Sequence, residues 1–271
     1  MFLQTGIITS IKYSVFTIAV VAFAILSICS FKQASAQDSE NAKSAWSAGI
    51  AGIGSLTPYR GVSSESLIVP IVAYEGERII WRGPSFQYKF TGTERGEPSL
   101  RLSIELAPNE LEASESNELN GIEDRNLSFL AGLRYVYPTA YGQFNAVYQT
   151  DITGEHNGQR GALNFERPIF QDPQRRWMIN AGVQVEYLSS NYADYYFGIS
   201  REEAARSIFE EYAVGAVWQG GITLGGYYQF NQDWQVIVST RFLSLASDIK
   251  NSPIVEDDYT IDGFIGVTYQ F

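Results

Sequence analysis

The most restrictive stretch of the chain is Tyr259 to Phe271. Its odd positions read Tyr, Ile, Gly, Ile, Val, Tyr and Phe, and its even positions read Thr, Asp, Phe, Gly, Thr and Gln. Alternation at a period of two makes a strand, here with one largely apolar face running to Phe271. A soluble sheet hides such an edge. A closed barrel in lipid pairs it with the first strand and turns the apolar face to hydrocarbon. The spacing of Ile265, Val267, Tyr269 and Phe271 also matches what bacterial barrel assembly machinery reads. The expectation is an all-β fold, a transmembrane antiparallel β-barrel in the cell outer membrane, in contact with lipids and lipopolysaccharide.

The N-terminus supports that address. Lys12 precedes an apolar run from about Tyr13 to Ile28, and Ala34-Ser35-Ala36 gives a small-x-small cleavage site, the pattern of a secretory signal peptide. The expected organisation is a cleaved signal at 1–36, a short segment at 37–45 and a barrel at 46–271. Cys29, the chain's one cysteine, lies in the leader with bulky Ile28 before it. That disfavours lipidation and leaves the mature chain without thiol chemistry. Cleavage leaves 17 basic against 30 acidic residues, which excludes nucleic acid as a partner because phosphate contacts need a basic footprint.

Similar alternation recurs along the chain. Strands are expected at Trp46 to Gly54, Leu67 to Tyr74, Ile79 to Phe90 with a bulge at Pro84, Pro98 to Ala107, Arg125 to Tyr137, Tyr141 to Asp151, Gly158 to Ile169 and Gln174 to Leu188. The series continues with Asn191 to Ser200, Tyr212 to Phe230, Asp233 to Leu245 and Tyr259 to Phe271. These make about twelve strands, an even number, of lengths that cross a bilayer at a tilt. Ser200 and Glu203 form a capping box opening a short rim helix over 201–209. With both termini in the periplasm, this count puts 108–124 and the turn holding His156 on the periplasmic side. It puts 56–66, 200–211 and 246–258 outside.

Inward positions carry charges of both signs: Arg82, Lys89, Arg101, Arg134, Arg160 and Arg241 against Glu105, Glu166, Glu186 and Asp262. Charges withdrawn from water need partners, so a network of pairs is expected across a narrow lumen, acting secondarily as a charge filter. The acidic connection at 108–124 supplies Glu110, Glu112, Glu115, Glu118, Glu123 and Asp124, candidate contacts for a basic partner surface.

Chemistry is sparse. His156 sits in a polar turn with Asp151 and Glu155, and one imidazole with two acids at loop spacing is a weak metal signal. No phosphate loop, nucleotide fingerprint or paired-cysteine motif occurs. The expectation is a protein without catalytic residues, metal or cofactor.

Three short motifs add a resemblance. Thr57-Pro58-Tyr59-Arg60-Gly61 with Val69-Pro70 and Tyr74, then Tyr195-Tyr196-Phe197-Gly198-Ile199, then Ser252-Pro253-Ile254-Val255 resemble, in order and spacing, the MltA-interacting protein / OmpV family of outer-membrane proteins. The resemblance covers roughly 46–271, with Phe197 and Ile199 as departures. It implies a scaffold role in some members, joining a lytic murein transglycosylase to a murein synthase, and adhesion or stress roles in others. A narrow pore for small solutes is the competing class. The family offers no agreed catalytic residues. Pro58, Tyr59, Gly61, Tyr196, Gly198, Ser252 and Pro253 are therefore expected to set backbone geometry.

Overall fold

In the computed structural model, which describes residues 46–62, 64–94 and 96–271, twelve antiparallel strands close into a barrel. The expected leader and the segment at 37–45 lie outside the described residues. The strands are β1 (Trp46–Leu56), β2 (Glu65–Glu75), β3 (Ile79–Arg82), β4 (Ser85–Lys89), β5 (Ser99–Leu106), β6 (Phe129–Thr139), β7 (Gly142–Asp151), β8 (Gln159–Gln171), β9 (Trp177–Leu188), β10 (Val217–Gln229), β11 (Trp234–Ser244) and β12 (Tyr259–Gln270). Pairing of β1 with β12, from Ser47 opposite Gln270 to Leu56 opposite Ile261, closes the wall.

The outer face is what hydrocarbon requires. Ile50, Leu133, Leu163, Val183, Ile222 and Ile265 point outward and exposed, a band that water would penalise and lipid does not. Aromatic pairs ring both margins. Trp46 meets Tyr74 and Trp81 at the end bearing the termini, as do Trp234 and Tyr269; Tyr187 with Trp218 and Phe242 with Tyr259 mark the other end. Among the described residues no helix is long and apolar enough to span a membrane; the strands do the crossing.

The number of strands agrees with the expectation through two differences that cancel. Residues 79–90 are not one bulged strand. Gly83 has φ of 54°, and Pro84 removes a donor, so the chain reverses there and β3 and β4 form a short hairpin. Asn191 to Ser200 is not a strand but contains helix α1 (Ser190–Phe197), N-capped by Ser189. Tyr192, Ala193, Tyr196 and Phe197, the buried set, sit at i, i+1, i+4 and i+5, a helical face that period-two reading missed. The Ser200–Glu203 capping box is present and opens helix α2 (Arg201–Ala204).

The extra reversal at Gly83-Pro84 changes the direction of every strand from β5 to β9. The 107–128 and 152–158 connections therefore leave the barrel at the same end as 57–64, 189–216 and 245–258, opposite the termini. This corrects the periplasmic placement expected for the acidic segment and for His156. The three longest connections, 107–128, 189–216 and 245–258, share one side, and the other side carries turns of two to five residues together with the nine-residue 90–98; this follows the outer-membrane pattern, in which the long loops face outward.

Among the described residues no strand pairs with the edge of β2 above the β3–β4 tip. The Val72 carbonyl accepts from Gly83 N–H, so by the alternation of an antiparallel ladder Pro70 presents its backbone to that same side, one step higher. A residue without an N–H suits an edge position.

Candidate functional site

The long connections do not hang free. They fold into a plug with its own apolar core, in which Tyr59, Leu119, Tyr192, Tyr196, Phe197 and Ile254 are buried. Helix α3 (Ser247–Lys250) adds Ile249. The three motifs behind the family resemblance meet here. Tyr59 bridges Val255, its hydroxyl donates to the Tyr196 carbonyl at 3.2 Å, and the Ser252 hydroxyl donates to the Phe197 carbonyl at 2.6 Å. Arg60 donates from Nε to the Pro253 carbonyl at 3.1 Å. Gly61 has φ of 64°, and a Cβ there would lie 2.5 Å from Ser116 Oγ. At Gly198 a Cβ would lie 2.4 Å from the Asp194 carbonyl oxygen.

The acidic segment is stitched into the same plug. Asp124 accepts from Ala113 N–H at 2.8 Å, Glu123 pairs with Arg206 at 2.6 Å, and Glu118 lies 3.9 Å from Arg60. Glu110, Glu112 and Glu115 line a cavity of about 60 Å³ beneath the plug. Arg125 and Glu203, both buried, tie the segment to α2 at 2.7 Å. Backbone N–H groups of Glu123 and Ser200 and the Arg125 guanidinium hold the Glu203 carboxyl below its usual range despite burial, which acts the other way.

Ser128, His156 and Asp151 assemble into the outline of a hydrolytic triad, a grouping the sequence did not show because Ser128 carries no motif. His156 Nε2 is 2.9 Å from Ser128 Oγ, and Nδ1 is 3.9 Å from Asp151. The protons run the wrong way for catalysis. Gly158 N–H donates to His156 Nδ1 at 2.9 Å, which fixes the proton on Nε2 and makes the ring a donor to Ser128. Tyr196 donates to the Asn126 carbonyl, leaving its oxygen to accept from Ser128. The serine proton therefore points away from a ring that has no free lone pair to take it, the opposite of a nucleophile–base pair. Asp151 spends its oxygens on the Thr153, Gly154, His156 and Asn157 N–H groups. Burial lowers the His156 pKa, with Asp151 and Glu155 opposing, and the ring stacks among Tyr192, Tyr195 and Tyr196. No group of three or more His, Cys, Asp or Glu poised for a metal occurs among the described residues.

Below the plug, charges cross-link the wall. Arg241 chelates Asp262 on the facing strand through Nε at 2.8 Å and Nη2 at 2.6 Å, with Ser55 donating to the other carboxylate oxygen at 3.0 Å. Arg134 meets Glu105 at 2.5 Å. Arg160 pairs with Glu186, which also accepts from Gln219 at 2.7 Å. These six are buried, and Arg82 pairs with Glu75 lower down at 2.8 Å. Lys89 and Arg101 lie in facing register on β4 and β5, while Glu166 lines a second cavity of about 50 Å³. Arg241 lines both cavities, so its pair with Asp262 partitions the upper lumen into spaces holding a few waters each.

A closed, lipid-faced antiparallel barrel with long connections at one end defines an integral outer-membrane protein. Residues 49–271 match the family described as MltA-interacting protein MipA, and the chain belongs to that family. It is 27% identical over 216 residues to the MltA-interacting protein of Escherichia coli strain K12, covering 79% of this chain and 85% of that protein. It is 24% identical over 190 residues to outer membrane protein OmpV of Vibrio cholerae, covering 68% and 70%. Among solved structures, the CymD monoaromatic hydrocarbon channel aligns over 85% of this chain and 89% of its own, at 9% identity and a TM-score of 0.37.

Proposed function

We propose that the protein is a non-enzymatic outer-membrane scaffold that holds murein-remodelling enzymes, a lytic transglycosylase and a murein synthase, at its periplasmic end. The observation that carries this reading is the obstructed interior: an apolar plug above and buried ion pairs beneath leave the molecule's surfaces, rather than a channel, to act. The relative named for interacting with MltA supports it, and the inverted Ser128–His156 hydrogen bond supports a role without catalysis. The contact belongs on the connections at 76–78, 90–98, 140–141, 172–176 and 230–233. Glu110, Glu112, Glu115, Glu118, Glu123 and Asp124, on the outward plug, serve a partner only in the alternative reading of surface adhesion.

The test is recovery of murein enzymes from cross-linked, detergent-solubilised envelopes with three proteins: the parent, one with the periplasmic turns exchanged for Gly/Ser, and one with the six acids converted to amides. Recovery with the parent and the amide variant, lost with the turn variant while heat-modifiable gel mobility is retained, is the expected result. Recovery of neither enzyme with the parent would refute the scaffold, and loss confined to the amide variant would return the contact to the plug.

A further inference from the structure

The lower lumen combines two features that a wetted wall does not call for. The first is a row of like charges. Lys89 faces Arg101 across β4–β5 and Arg101 faces Arg134 across β5–β6, an arrangement that repels unless an anion intervenes. Glu105 neutralises Arg134 and Glu75 neutralises Arg82. Arg101 has only neutral acceptors, Gln87 Oε1 at 3.1 Å and Ser99 Oγ at 3.0 Å. Among the described residues neither it nor Lys89 forms an ion pair. Two positive charges are left over at the mouth of a strongly acidic protein.

The second feature is an apolar strip on the adjoining wall. Val69 and Ile71 on β2 and Ile237 on β11 pack, half-buried, against Ala51, Ile53 and Phe264. Phe264 stands among the otherwise polar inward positions of β12. The strip reaches the basic wall at Arg82, which sits opposite Ala73, two residues from Ile71 on the same face; Arg82 faces Ser85 across the β3–β4 hairpin, and Lys89 lies two such steps further down β4 on that face. One such step is about 6.8 Å. The strip runs inward from the cations and stops at Asp262, two residues above Phe264 and held by Arg241. Its half-buried members and Lys89 and Arg101 are reached by solvent, whereas the ion pairs above are buried.

We propose that this half of the lumen binds an anionic amphiphile: one acyl or alkyl chain on the Ile71–Phe264 strip, with its carboxylate or phosphate on Lys89 and Arg101. The cations supply the counter-charge geometry for an oxyanion, and the strip removes the chain from water. The site is blind at the Arg241–Asp262 pair and filled from the periplasmic end. It is independent of the scaffold reading.

Native mass spectrometry of the full barrel released from nonionic detergent tests this with four probes: dodecanoate, dodecyl phosphate, dodecanol and inorganic phosphate. Dodecanoate, dodecyl phosphate or both should be retained, with the preferred one naming the headgroup, and dodecanol and inorganic phosphate should not. Lys89→Gln/Arg101→Gln and, separately, Ile71→Ser should each weaken retention at least tenfold while heat-modifiable mobility stays intact. If the double variant does not fold, Lys89→Gln alone carries the charge arm. Equal retention of dodecanol, retention of inorganic phosphate as firmly as of dodecyl phosphate, or unchanged binding in the variants would overturn the proposal.

Discussion

Replacing Arg241 with Met tests how the wall is braced. Arg241 and Asp262 face each other across β11–β12, both buried, and share two charge-assisted hydrogen bonds at 2.8 and 2.6 Å. Methionine keeps most of the volume but strands a carboxylate that Ser55 still donates to at 3.0 Å. Breaking a buried pair from one side typically costs about 3–5 kcal/mol. With Ser55 still engaged and cavity water at hand, the lower end, about 3 kcal/mol, is expected. Adding Asp262→Asn removes the stranded charge, so the double variant should recover roughly 2 kcal/mol of that loss. Equilibrium urea unfolding in phosphatidylcholine vesicles, followed by tryptophan fluorescence, measures both. A single variant as stable as the parent, or a double variant no better than the single, would show that the pair does not brace the wall.

Three further outcomes follow from the plug and the partition. Burial lowers the His156 pKa below its ordinary value of about 6.5, so the folded state prefers the neutral ring. That contribution is complete above the ordinary value and is lost as pH falls below it toward the depressed one; hydrogen exchange of 189–216 should quicken at pH 5.5 relative to 7.5, and the change should shrink in His156→Gln. Gly198→Ala drives a Cβ to 2.4 Å from the Asp194 carbonyl oxygen and should loosen the plug by about 1–3 kcal/mol, seen as faster exchange in the same segment with the strands unaffected. The parent should give no steady current in planar bilayers, and Arg241→Ala, which joins the two cavities beneath an intact plug, should stay closed as well; resolvable steps from either would show that the plug does not seal the barrel.

The wall was legible in the sequence because lipid and lumen impose a strict two-residue alternation. Leu100, Leu102 and Leu106 against Arg101, Ser103 and Glu105 is enough to assign both faces of β5. The plug was not legible, because its contacts join residues far apart in the chain: Tyr59 to Tyr196, Ser252 to Phe197, Arg125 to Glu203. Its motif residues announce backbone geometry, not which loops they join. The Ser200–Glu203 box could be read because both halves lie within four residues. The Ser128–His156 contact could not, since 28 residues separate them.

The sidedness of the loops shows why a correct number of strands does not secure a correct topology. Each strand added or lost before a loop moves that loop to the opposite membrane face, so sidedness depends on parity alone. The turn at Gly83-Pro84 adds one reversal and the helical segment at 190–197 removes one. Everything after residue 200 keeps its side, and only the stretch between is inverted. The signals needed were local: a Gly-Pro pair within a nominal strand is a turn pair, and Tyr192, Ala193, Tyr196 and Phe197 keep helical spacing. Read that way, all the connections that build the plug fall on one end. The barrel is then polarised, capped outward by an apolar plug, with the half-buried Lys89 and Arg101 toward the end that bears the termini. A partner reaching it from the periplasm meets the turns at that end, and not the acidic segment.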